Sequence, residues 1–104
     1  MTGGMRQDAV LVISPLGRIV EVDEASCALL GYDSAELVGM HGSELIVAKD
    51  RPAVAASLDR MKRGDISRRE GALRHRDGKL VRVEVESTRL ADGGLALRLR
   101  PLAD

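Results

Sequence analysis

The sequence predicts an α+β fold, a small antiparallel sheet flanked by short helices and one longer helix. Three observations carry that reading. Two strand patterns open the chain and three close it, with only helix patterns between them. Val81, Val83 and Val85 alternate with Arg82, Glu84 and Glu86, and Leu95, Leu97 and Leu99 alternate with Ala96, Arg98 and Arg100. Each of those strands therefore buries one face and leaves the other charged. Finally, Val54, Leu58 and Met61 stand at i, i+4 and i+7, the stripe of a helix lying on a sheet.

The elements follow in order. Residues 1–7 read as a flexible start, and residues 8–102 as one domain, since 104 residues leave no room for a second. Ala9 to Ile13 (AVLVI) is apolar without alternation, as in a strand covered on both faces. Ser14-Pro15-Leu16-Gly17 places Pro and Gly where a tight turn needs them, and Arg18 to Val22 returns as the second strand. Asp23 caps a helix over EASCALL that Gly31 stops. Asp33 with Glu36 three residues on forms a capping box for another turn, and a third short turn falls near Ser43 to Val47. The longest helix runs from Arg51 to Arg63, with Asp50 as its cap and Pro52 in its first turn. Asp77-Gly78 and Asp92-Gly93-Gly94 separate the last three strands.

Composition narrows the function. Formal net charge is zero, which argues against nucleic acid and anionic membranes as partners. The halves differ: residues 1–50 carry three basic against eight acidic residues, and residues 51–104 carry thirteen against eight. The two halves are expected to meet across the fold and neutralise each other. Cys27 is the sole cysteine, so no intramolecular disulfide forms. No apolar run reaches the ~20 residues of a membrane span and no signal peptide opens the chain, so a cytoplasmic location is expected.

The chain resembles the PAS family over nearly its whole length, from about Asp8 to Leu102. The pieces are GRIVEV (Gly17 to Val22), EASCALLGY (Glu24 to Tyr32), SAELVG (Ser34 to Gly39), DRPAV (Asp50 to Val54) and RHRDGKLVRVEV (Arg74 to Val85). The resemblance implies a five-stranded antiparallel sheet with the first strand between the second and the last. It also implies a sensory or protein-interaction module that signals to an attached effector or partner protein. Two departures stand out. Asp23 sits where many members carry Asn, and the end (Leu99 to Asp104) lacks the Asp-x-Thr motif that often couples the family to its effector.

Measured against that family, cofactor readings lose support. Residues 51–63, where haem-binding members place an axial His, contain none. The segment GSELIVAKD lacks the Cys of flavin photosensors. With Tyr32 as its sole aromatic, the chain has little to line a flavin or haem pocket. Neither His41 nor His75 has metal-ligand spacing, no phosphate loop or nucleophile elbow occurs, and no enzyme is expected.

Two function readings stay open. The first is an interaction module that forms a homodimer through its sheet. Arg82, Glu84, Glu86, Arg98 and Arg100 make a mixed-charge outer face, and Leu11 and Ile13 are expected to extend it as an apolar strip. The alternative is a sensor with an apolar pocket between sheet and long helix, for a small apolar or carboxylate ligand. Its lining would be Val54, Leu58, Leu73, Val83, Val85 and Leu97, with Cys27 and Leu45 nearby. Arg69 and His75 share the face of Leu73, where either anchors a carboxylate or reaches water from a strand end. The same apolar set serves equally as a packed core.

Overall fold

The computed structural model describes residues 8–102, and the expected flexible start lies outside them. Five strands form one antiparallel sheet in the order β2-β1-β5-β4-β3. They are β1 (Ala9–Ile13), β2 (Ile19–Val22), β3 (Ser67–Arg74), β4 (Leu80–Arg89) and β5 (Leu95–Pro101). β1 lies between β2 and β5 as expected, and β5 holds the centre. Between β2 and β3 come α1 (Glu24–Leu30), α2 (Ser34–Leu37), 3₁₀ turns at Gly42–Leu45 and Ala48–Asp50, and α3 (Arg51–Lys62). The second 3₁₀ turn was absent from the sequence reading.

Local chemistry accounts for most boundaries. Asp23 caps α1 by accepting from the Ser26 N–H at 2.8 Å, and its other oxygen accepts from Val10 N–H at 3.1 Å. One carboxylate thus ties the start of α1 to β1. Gly31 takes φ +80° and returns its N–H to the Cys27 carbonyl, closing the helix. Glu36 reaches back to the Asp33 N–H at 2.9 Å, the expected capping contact. Asp50 does not cap α3. Its backbone is already helical, and its carboxylate accepts instead from Ala72 N–H on β3 at 3.1 Å. That bond occupies a donor on an edge strand, where unpaired groups invite pairing with other chains. The other edge is covered too: Ile19 N–H donates to Met40 and Gly39 N–H to Ile19.

The core lies between the helices and the inner face of the sheet, centred on Leu11, Ile19, Leu30, Leu37, Val83 and Leu99. Leu11 is therefore not on the outer strip, and Ile13, two residues on, shares its face. The residues of β1 that point outward are Val10 and Val12, opposite Arg98 and Ala96 of β5. In a strand apolar at every position, period 2 cannot say which set faces inward, and a one-residue shift exchanges the faces.

Charge neutralisation is also more local than the composition suggested. Among the described residues, Arg76–Glu36 (2.9 Å) joins the two halves of the chain. The pairs Arg68–Glu86, Arg82–Glu70 and Arg100–Glu84 all lie within β3, β4 and β5.

Candidate functional site: an inner cavity and an outer sheet face

A cavity of about 90 Å³ sits between the sheet and α3. Alternation on β3, β4 and β5 sends every second side chain toward it, and the α3 stripe closes it from above. Leu45, Val54, Leu58, Arg69, Leu73, Val85 and Leu97 line it, as the sequence reading placed them. Val83, Cys27 and His75 do not. Val83 is fully buried in the solid core beyond the void. Cys27 is half-buried on α1 and packs against the core. Burial, then the charges of Asp23, Asp33 and Glu24, push its thiol above the ordinary value. His75 stands past the end of β3, with its Nδ1 3.0 Å from Asp77 and its ring in the space a Gly31 side chain would need.

Residues the sequence reading did not place in the pocket complete the wall, among them Leu95, Leu99 and Ser87, together with Leu11 and Ile13, which it had put on the outer strip. Ser87 could have been found, because it continues the inward row Val81, Val83, Val85 as its one polar member. Arg69 shows its stem to the cavity, while its guanidinium lies over Gly71. A methyl group on Gly71 would meet Arg69 Cζ at 3.3 Å and Asp50 Oδ2 at 3.1 Å. The Arg69 head therefore lies beside the Asp50 carboxylate, not over the centre of the void.

His41 has a structural part that the sequence did not suggest. Its Nδ1 accepts from Ser43 N–H at 3.2 Å, capping the first 3₁₀ turn, while Glu44 accepts from its own N–H at 2.9 Å. Among the described residues no group of three or more His, Cys, Asp or Glu side chains could hold a metal. Nor is any helix among them long and apolar enough to cross a membrane.

The opposite face of the sheet is divided. Val10, 37% exposed, forms an apolar end with Val12 and Ala96. Beside it, Glu84 and Glu86 on β4 stand opposite Arg100 and Arg98 on β5. Arg68 donates to Glu86 at 2.7 Å, and that bond, aided by the charges of Arg98 and Arg100, holds the Glu86 carboxyl below its usual range. Arg82, Glu84, Arg98 and Arg100 all lie on this face, as the sequence alternation required.

The β2-β1-β5-β4-β3 order with helices inserted between β2 and β3 matches one family throughout. Residues 6–103 fit the family model described as PAS fold. The chain belongs to the PAS fold family. This PAS domain is 28% identical to a domain of a sensory box sensor histidine kinase/response regulator from Geobacter sulfurreducens. The match has a TM-score of 0.76 and covers 89% of this chain and 82% of that one. It is 30% identical to the PAS domain of an HTR-like protein from Haloarcula marismortui, with a TM-score of 0.72 over 89% of this chain and 78% of that one. A PAS domain from Colwellia psychrerythraea superposes with a TM-score of 0.83 at 20% identity, over 91% and 86% of the two chains, a likeness of fold alone. No curated protein matches the PAS domain.

Proposed function

We propose that this PAS domain is a non-catalytic sensory and interaction module of a signalling protein, and that it pairs with a second copy through its outer sheet face. The observation that carries the reading is the layout of that face. An apolar end made of Val10, Val12 and Ala96 adjoins a Glu row (Glu84, Glu86) and an Arg row (Arg98, Arg100). A two-fold interface sets one patch against itself, so adjacent rows of opposite sign can each meet their complement while the valines bury one another. The likeness to a sensor histidine kinase domain supports the signalling context. Chemistry in the cavity is disfavoured because Arg69 is the one charged side chain among its lining residues.

Sedimentation equilibrium tests the reading. The unaltered protein is expected to run as a dimer, and Val12→Glu as a folded monomer. Val10→Glu is expected to weaken the dimer in the same direction. A monomer before substitution, or an unchanged dimer in both variants, would sink the proposal.

A further inference from the structure

Two charges on the outer sheet face are placed to select the partner and fix how it sits, a reading that rests on the dimer proposed above. On that face Arg68, Arg82 and Arg100 are each held by a glutamate of their own subunit. Arg98 and Glu21 are not. Both are exposed, and neither joins an ion pair among the described residues. Arg98 stands opposite Glu86, but Arg68 takes the Glu86 Oε2 at 2.7 Å.

Register sets these two charges evenly about the apolar end of the face. Val12 is opposite Glu21 of β2 across one ladder, and Val10 is opposite Arg98 of β5 across the other. Directly opposed residues share a face, so all four side chains point outward. Glu21 and Arg98 stand about 10 Å apart across two strand spacings and about 7 Å apart along the strands, a separation of about 12 Å. The midpoint between them falls on β1, between Val10 and Val12.

We infer that the two-fold axis of the dimer crosses the face between Val10 and Val12, and that Arg98 of each subunit pairs with Glu21 of the partner subunit. An axis through that midpoint, set at right angles to the line joining the two charges, carries each position onto the other. One operation therefore makes both ion pairs and brings Val10 and Val12 against their own copies. The result is an apolar centre flanked by polar contacts, the ordinary layout of a protein interface. It also favours a second copy of this chain over other partners. A surface without one charge of each sign at this spacing leaves Arg98 or Glu21 facing it uncompensated.

Charge reversal, singly and in mixture, tests the pairing by sedimentation equilibrium. Arg98→Glu alone and Glu21→Arg alone are each expected to weaken the dimer about tenfold, because two symmetric contacts turn from attraction to repulsion. An equimolar mixture of the two variants is expected to recover nearly the original affinity, since every charge in the mixed dimer then meets its opposite. Both altered chains are present in that mixture, so a folding defect cannot mimic the recovery. The unaltered protein and Val12→Glu, run alongside, separate the two readings. A dimer that Val12→Glu dissociates but neither reversal weakens would overturn the pairing and leave the dimer standing. Weakened dimers that show no recovery on mixing would overturn the pairing as well. A monomeric unaltered protein would overturn both.

Discussion

The Ser67 hydroxyl donates to Ser57 Oγ at 2.8 Å, a buried link between β3 and the middle of α3. Both serines are almost wholly buried, and the contact helps hold the helix on the sheet above the cavity. Removing one partner leaves the other hydroxyl buried and short of a bond, which costs about 1–3 kcal/mol. Ser57→Ala and Ser67→Ala are each expected to lower unfolding stability in urea by that order. The double variant is expected to lose about 1 kcal/mol less than the two single losses together. Strict additivity would mean that the contact contributes nothing.

Face assignment on β1 predicts a sharp contrast between neighbours. Leu11 is 1% exposed and Val10 is 37% exposed. Leu11→Ala is expected to cost about 2–5 kcal/mol through the cavity it leaves. Val10→Ala is expected to change monomer stability by about 0.5 kcal/mol or less. Urea denaturation compares them, and equal losses would contradict the observed phase of the strand.

Asp23 makes stability depend on pH in a defined direction. Burial opposes its ionisation, but the bonds from the Ser26 hydroxyl, the Ser26 N–H and the Val10 N–H outweigh that and hold its carboxyl below the ordinary value. Folding therefore favours the charged form, so the stabilisation is complete above the unfolded-state carboxylate value. It is lost as pH falls through the folded-state value. Relative to Asp23→Asn, the unaltered protein is expected to lose more stability on acidification from about pH 6 to pH 3. Parallel curves in urea would rule this out. Asp23→Ala is expected to cost about 1 kcal/mol at neutral pH through loss of the cap.

Gly31 combines a left-handed backbone with a crowded neighbour. At φ +80° any side chain pays about 1–2 kcal/mol, and a methyl there would also run into the His75 ring. Gly31→Ala is expected to destabilise by at least that amount. Adding His75→Ala is expected to recover the steric part but not the backbone part. Thermal melts of both variants test the division, and a Gly31→Ala protein as stable as the original would refute it.

Cys27 is expected to react slowly with iodoacetamide near neutral pH, because burial and the nearby carboxylates keep its thiol protonated. Its rate is expected to rise toward that of a free cysteine on unfolding. Equal rates in the folded and unfolded chain would contradict that environment.

Much of this protein was legible without coordinates. Turn chemistry at Asp77-Gly78 and Asp92-Gly93-Gly94, caps at Asp23 and Asp33, and the alternation of β4 and β5 are local signals, and each specifies its own element. From alternation, the sequence alone determined that Val85, Leu73 and Leu97 face inward and that Arg82, Glu84, Arg98 and Arg100 face outward. Only the tertiary structure decided the phase of β1, because a strand apolar at every position has no polar face to mark the outside. It also decided where Asp50 and Arg69 direct their charges. Asp50 is a natural cap by position, but its carboxylate satisfies an edge N–H on β3 across 22 residues of chain. Long-range partners of this kind depend on which segments the fold brings together, and no local pattern of residues records that.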